Sequence, residues 1–329
     1  MIKISIIIPC LNEEKTIGNV LQAIYQQNFP LEFLEVVLAD GGSIDQTISK
    51  IERFKDQHPD LSVKLINNPL RHIPAALNRA IMAARGEIII RMDAHSLPSP
   101  DYVKRCSQAL LDGKGENVGG KWKILPGANT WIARGIAIAA AHPLGVGDAL
   151  YRISGKAGSV DTVPFGCYYR SLFDRIGFFD ESLLTNEDYE LNTRIRMNSG
   201  IIWFDPEIIC QYFARPTLKE LAVQYWRYGF WKARMVKKYP TTIKPRQALP
   251  PLFVISLIGI LGLGIFIEPF LYLFLTVFLL YMGIIILASI PAAIKGKDAA
   301  LVLSIPMAIM TMHFTWGTGF LTSLAAKLD

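Results

Sequence analysis

The sequence has little cysteine, and what it has is scattered. Cys10, Cys106, Cys167 and Cys210 form no CxxC pair, so neither a structural zinc site nor a disulfide frame is expected, and a reducing cytosolic face is the simpler setting. The glycine-rich phosphate cradles are missing too. Neither GxGxxG nor GxxxxGK followed by Ser or Thr stands at any strand-to-helix turn, which argues against nicotinamide chemistry and P-loop hydrolysis. There is no arginine-rich arm or nucleic-acid motif, so no nucleic acid is expected as a partner. The start, Lys3 and then Ile4-Ser-Ile-Ile-Ile-Pro9, is far too short for a signal-peptide core and reads as a first β-strand. Charge is scarce at the other end: from Leu249 onward only Glu268, Lys295, Lys297, Asp298, Lys327 and Asp329 carry any.

What is present divides the chain. With 329 residues, 51% of them hydrophobic, and a net charge of +6, the uneven spread of apolar residues predicts one soluble domain and one membrane part. The expected boundaries are a catalytic domain over 1–214, an amphipathic interfacial helix region over 215–246, and a transmembrane domain over 247–329.

Up to about Pro100 the chain alternates strand and helix. Strands are expected at Ile4–Pro9, Glu35–Asp40, Val63–Ile66 and Glu87–Arg91, with helices at Asn12–Gln27, from Gly41 to near Asp56, and at Pro74–Arg85. That spacing means parallel strands with right-handed crossovers, an α/β Rossmann-like sheet flanked by helices. Ligands of such sheets sit at the carboxyl ends of the strands. Those ends carry Pro9, Asn12 and Glu13; Asp40 and Ser43; Arg71; and Asp93 with His95. Asp40 suits a base N–H or ribose hydroxyl, and Arg71 a phosphate. In an extended Asp93-Ala94-His95 the outer two side chains share a side and together suit a divalent cation, although an Asp after a strand is also an ordinary helix cap.

The middle of the chain adds a helix over Pro98–Asp112, a strand over Val118–Leu125, a helix over Asn129–Ala141 and a polar loop over Arg152–Asp161. Tyr168 and Tyr169 read either as a wall that stacks sugar rings or as ordinary packing. Thr185 to Glu190 opens a helix with acids in its first turn. These acids complement the helix dipole, or else Asp188 is a general base with Glu187 in support.

Several motifs together resemble the family 2 glycosyltransferases of GT-A fold, and within them the membrane-anchored branch similar to succinoglycan glucosyltransferases. They are Ser5 to Glu14, Ala39 to Asp45, Met92 to His95, Pro164 to Arg170, Gly177 to Glu181, Asn186 to Leu191 and Gln224 to Gly229. The resemblance covers essentially the whole chain. It implies a mixed sheet, a nucleotide-sugar donor such as a UDP-sugar, a divalent metal ion (Mn2+ or Mg2+) at Asp93 and His95, and inverting transfer with Asp188 as the base. It implies also that Gln224, Arg227 and Tyr228 border the donor diphosphate, the family's QxxRW element being Gln224 to Tyr228 here. Two departures stand out: Asp93-Ala94-His95 replaces Asp-x-Asp, and Gly41 stands where many relatives have a second acid.

Thr217–Tyr239 is helical in period, basic and rich in aromatics, as a helix in a membrane interface would be. Leu249–Ile267, Phe270–Ile294 and Ala299–Ala326 can each cross a hydrocarbon core of about 30 Å. Lys232, Arg234, Lys237, Lys238, Lys244 and Arg246 precede the first run, and Lys295 and Lys297 follow the second. By the positive-inside rule the catalytic domain is then cytosolic and the C-terminus outside. The expected activity is transfer of a sugar to a lipid-linked (polyprenyl-diphosphate) saccharide acceptor at the cell membrane, as in exopolysaccharide synthesis. The alternatives are a processive polysaccharide synthase, a catalytically silent membrane scaffold and a sugar nucleotidyltransferase, the last lacking its glycine-rich basic loop.

Overall fold

In the computed structural model residues 3–153 and 155–326 are described, and the chain divides into two compact units. The first comprises Met1–Lys123 with Ser154–Tyr212, the second Ile124–Ile153 with Phe213–Asp329. Segment Ile124–Ile153 thus groups with the C-terminal helices.

The first unit is built on β-branched runs. β1 (Ile4–Cys10) is followed by α1 (Ile17–Tyr25), β2 (Leu34–Asp40) by α2 (Thr47–Gln57), and β3 (Ser62–Asn67) by α3 (Ile73–Ala83) and β4 (Ile88–Arg91). β1 and β2 are buried almost throughout, as parallel strands covered on both faces must be. Next come β5 (Ser96–Pro98), α4 (Tyr102–Leu111) and β6 (Asn117–Leu125). Helices α5 (Trp131–Ala139), α6 (Pro143–Val146) and α7 (Leu150–Ile153) intervene before β7 (Gly158–Ser159), β8 (Cys167–Tyr169), α8 (Ser171–Ile176), α9 (Glu187–Met197) and β9 (Ile202–Phe213).

Among the described residues nine strands form one sheet in the order β3-β2-β1-β4-β8-β6-β9-β5, with β7 on β9. β3, β2, β1 and β4 are parallel, as the spacing of the first hundred residues predicts. β8 then pairs antiparallel to both β4 and β6, and the sheet is mixed.

Several boundaries differ from those expected, three of them for a clear local reason. α1 starts at Ile17 rather than Asn12, because Asn12 is left-handed (φ 56°) and residues 12–16 form a turn engaged with the β2–α2 loop. Pro98 does not open α4: Ser96–Pro98 is a short strand paired antiparallel to Tyr212–Cys210. The stretch expected as a loop over 152–161 begins inside α7 and contains β7, which pairs with Phe204 and Trp203.

The second unit holds α5 to α7 together with α10 (Leu218–Lys238), α11 (Pro245–Gly264), α12 (Glu268–Gly296) and α13 (Leu301–Ala325). α11, α12 and α13 are long and apolar enough to cross a membrane. α10 packs along α13 at backbone distance: a Cβ on Gly229 would meet the Trp316 carbonyl, and one on Gly319 the Trp226 carbonyl. Only glycine permits that approach.

Candidate active site

The loops that follow β1, β2 and β3 are tied together before any ligand arrives. Asp40, 4% exposed, accepts hydrogen bonds from the backbone N–H groups of Gly42 (2.8 Å) and Ser43 (2.9 Å) and from the Ser43 hydroxyl (2.5 Å). Its other close neighbour is the buried Cys10 thiol, 3.8 Å away. Burial, and next the charge of Asp40, push that thiol well up, so it stays protonated. Ser43 Oγ in turn accepts from Asn12 N–H (2.8 Å), and Asn12 Oδ1 accepts from Ile44 N–H (2.9 Å). Asp40, Ser43 and Asn12 therefore sit together as one hydrogen-bonded loop pair. Half-buried Pro9 pairs with Ala39 just below it. Arg71 is exposed and left-handed (φ 60°), and a Cβ on Gly41 would lie 3.5 Å from its Cα, so the third loop reaches the other two.

At the end of β4 the chain turns instead of staying extended, with Ser96 N–H bonded to Asp93 O (3.1 Å). Asp93 and His95 nevertheless both emerge half-exposed while Ala94 between them is buried. Glu13 lies against this turn, its Oε1 3.0 Å from His95 Nδ1.

Behind Asp93 sits a residue that the reading of the strand ends passed over. Arg91, 5% exposed, places Nη2 2.8 Å from Glu187 Oε1 and 3.3 Å from Asp93 Oδ1. A guanidinium this deep needs carboxylates, and it joins the end of β4 to the first turn of α9. Its signal in the sequence was a lone charge closing Ile88-Ile-Ile. Its backbone N–H donates to Gly166 O (3.0 Å), beside Phe165, a bulky residue held left-handed at φ 63°. Burial raises the Glu187 carboxyl to about 7, against the pull of Arg91, and the charge of Asp188 adds to the rise.

Asp188 itself is half-exposed and accepts from Tyr189 N–H (2.7 Å). α9 is fixed from behind: Asn192 accepts from Asn117 Nδ2 (2.6 Å) and donates to Thr162 Oγ1 (3.0 Å). One acid of the Glu-Asp pair is thus inside, locked to Arg91, and its neighbour faces outward.

The aromatic-wall reading divides. Tyr168 is fully buried and its hydroxyl donates to Phe165 O (2.9 Å), so it is a packing residue. Tyr169 faces a separate hollow lined by Glu116, Arg175 and Gly200. In the second unit, half-buried Gln224 donates to the Tyr228 hydroxyl (3.1 Å), the Tyr225 and Tyr228 rings meet edge to face at 5.6 Å, and Arg227 is exposed.

No cluster of three metal-ligating side chains occurs among the described residues. Asp93 and His95 nevertheless fit a divalent cation that takes its remaining ligands from phosphate oxygens and water, the usual habit of Mg2+ and Mn2+. Glu13 stands behind the His95 imidazole, and a carboxylate in that place is the common support of a metal-binding histidine.

The chain is similar to known proteins over most of its length. The dolichyl N-acetyl-alpha-D-glucosaminyl phosphate 3-beta-D-2,3-diacetamido-2,3-dideoxy-beta-D-glucuronosyltransferase of Methanococcus voltae is 28% identical over 98% of this chain and 97% of its own length. The succinoglycan biosynthesis protein ExoA of Rhizobium meliloti is 28% identical over 96% of this chain and 93% of its own. Among solved structures, the mannosyltransferase PcManGT of Pyrobaculum calidifontis, in complex with GDP-Man and Mn2+, superposes with a TM-score of 0.66 at 22% identity, covering 98% of this chain and 87% of that one. Residues 5–177, just over half the chain, match the glycosyl transferase family 2 domain. The chain belongs to glycosyl transferase family 2 and has the GT-A fold.

Proposed function

We propose that this protein moves a sugar, with inversion, from a nucleotide-sugar donor of the UDP class to a polyprenyl-diphosphate-linked acceptor at the cytosolic face of the cell membrane. The observation that carries the reading is Arg91, which gathers Asp93 and Glu187 and so brings the donor end of β4 beside the first turn of α9.

Asp188, half-exposed next to the locked Glu187, is the base that takes the proton from the acceptor hydroxyl as its oxygen bonds to the anomeric carbon. The bond from that carbon to the diphosphate oxygen breaks on the opposite side, and its electron pair leaves with the nucleotide. When bound at Asp93 and His95, a divalent cation (Mn2+ or Mg2+) supplies neutralisation of the charge on that leaving group. Glu187 holds its neighbour's direction through Arg91. The loop pair of Asn12, Asp40 and Ser43 receives the nucleoside, Pro9 and Glu13 line it, and Arg71 meets a phosphate. Gln224, Arg227 and Tyr228 serve the donor diphosphate and the acceptor channel.

Support for a lipid-linked acceptor comes from the dolichyl phosphate in the name of the Methanococcus voltae relative and from three helices of membrane-crossing length. A nucleotide sugar is what the solved neighbours hold, GDP-Man in one and UDP-GlcNAc in TarS of Staphylococcus aureus. The test is mass spectrometry of the lipid product made by the full chain from a panel of UDP- and GDP-sugars, with polyprenyl mono- and diphosphate acceptors, with and without Mn2+. A glycosylated lipid of inverted anomeric configuration is expected from a UDP-sugar, together with a rate about 10²–10⁴-fold lower for Asp188→Asn. Undiminished turnover by Asp188→Asn, or no lipid product from any donor, would overturn the proposal.

A further inference from the structure

Of the places where α13 touches the rest of the second unit, three spread along its length lie beside basic residues. Its start follows directly on the end of α12, where Lys295 and Lys297 lie, and Asp298 there pairs with Arg134 of α5 (2.9 Å). Its middle meets the first turn of α11: Trp316 Nε1 donates to Gln247 O (3.1 Å), next to Arg246. His313 Nε2 lies 2.8 Å from Leu144 O, and four residues further along that segment Asp148 is ion-paired to Arg246. Its end is held by Lys237 of α10, whose ammonium donates to Ser323 O (2.9 Å) and Ala326 O (3.3 Å).

A helix of 25 residues is about 36 Å long, enough to leave one face of a bilayer and reach the other. α13 does not use that length to cross. After about 22 Å from Leu301 it has reached only the first three turns of α11, through Gln247, Phe253 and Val254, near where that helix starts its own crossing. Its covering points the same way. α10, against the C-terminal half of α13, carries Lys219, Glu220, Arg227, Lys232, Arg234, Lys237 and Lys238, too much charge for hydrocarbon. α6 and α7, near its middle, are four residues each, and Pro143, Leu144 and Asp148 are exposed; irregular backbone of this kind is not found facing lipid tails. α11 and α12 are different, since only 22% and 11% of their apolar stretches are buried against 44% in α13, and their exposed Leu and Ile side chains suit lipid.

We infer that α13 is not a membrane span but lies in the plane of the cytosolic interface, where α10, α5 and α6 sheathe it into a layer facing lipid headgroups. The inference rests on the membrane attachment proposed above. α11 and α12 are then a hairpin that crosses and returns, and Ala325 stays on the side of Lys237 and Lys297. The expectation of an external C-terminus reverses.

All four native cysteines are buried, so single cysteines introduced into the full chain report sidedness to a membrane-impermeant maleimide in inverted and right-side-out vesicles. Lys55→Cys marks the first unit and Phe266→Cys the α11–α12 turn; Thr322→Cys and Leu324→Cys lie on opposite faces at the end of α13, and all four positions are exposed. At least one of the α13 pair should label with the Lys55 variant, in inverted vesicles only, and opposite to Phe266→Cys. Labelling of the α13 pair with Phe266→Cys, labelling in neither vesicle type, or all positions on one side would each overturn the inference. Nucleotide release by the wild type, assayed separately, reports on glycosyl transfer whichever way the labels fall.

Discussion

The guanidinium of Arg91 stands 2.8 Å from the carboxylate of Glu187, with both side chains about 6% exposed. It is the contact through which β4, the strand that leads into Asp93, is bound to the helix that presents Asp188. Removing one member leaves the other charge buried, whereas replacing both with apolar groups of similar size does not.

Arg91→Met should accordingly cost about 3–5 kcal/mol of stability, and the double variant Arg91→Met with Glu187→Leu should regain most of it. Transfer activity should stay lost in both, since Asp93 and Asp188 lose their common tether. Thermal unfolding of the solubilised protein together with a nucleotide-release assay separates the two effects. Equal melting temperatures for the wild type and Arg91→Met would contradict the pairing.

Glu13→Gln keeps the size of the side chain but weakens its hold on His95 Nδ1. Loss of a carboxylate behind a ligating imidazole typically lowers metal affinity about 10–100-fold. Mn2+ titration followed by electron paramagnetic resonance should show that weakening with the fold intact, and His95→Ala should show at least as much. Unchanged Mn2+ binding in both variants would move the cation site elsewhere.

Glu35, buried in β2, sets a pH dependence at the far end of the sheet. Burial would raise its carboxyl, but the Ser5 hydroxyl (2.6 Å), the Arg85 backbone N–H (2.5 Å) and the Arg85 side chain (2.9 Å) together hold it below the ordinary range. A carboxyl lowered by folding stabilises the fold above its ordinary pKa and loses that contribution as pH falls through the lowered one. Acid unfolding of the wild type should steepen below about pH 4, near the ordinary value for Glu. Glu35→Gln should be less stable at pH 7, and its deficit should shrink in acid. A constant deficit from pH 7 to pH 3 would contradict the assignment.

Gly319→Leu forces a side chain into the Trp226 backbone and should cost about 1–3 kcal/mol by overpacking, parting α10 from α13. Tryptophan fluorescence shifted towards water, from Trp226 and Trp316, would register the separation. A smaller side chain, as in Gly319→Ala, should give an intermediate shift.

Much of the first unit could be read from local chemistry. The isoleucine run of β4, the acids opening α9 and the strand–helix alternation are short-range signals, and the structure keeps them within a few residues of their expected places. What escaped depends on partners distant in sequence. Arg91 looked like the polar end of a strand until Glu187 stood opposite it. The membership of Ile124–Ile153 in the second unit was equally invisible, since the close approach of Gly135 to Ser304 leaves no local trace. α13 passed every test of length and hydrophobicity, and only its neighbours reveal how it is covered.

Arg91 is fastened twice, by its main chain to Gly166 and by its side chain to Glu187, so three distant stretches converge on one position. A substitution that displaced this residue would release the end of β4, the Gly166 turn and the first turn of α9 in a single step. Any alteration of the junction would have to suit all three stretches at once.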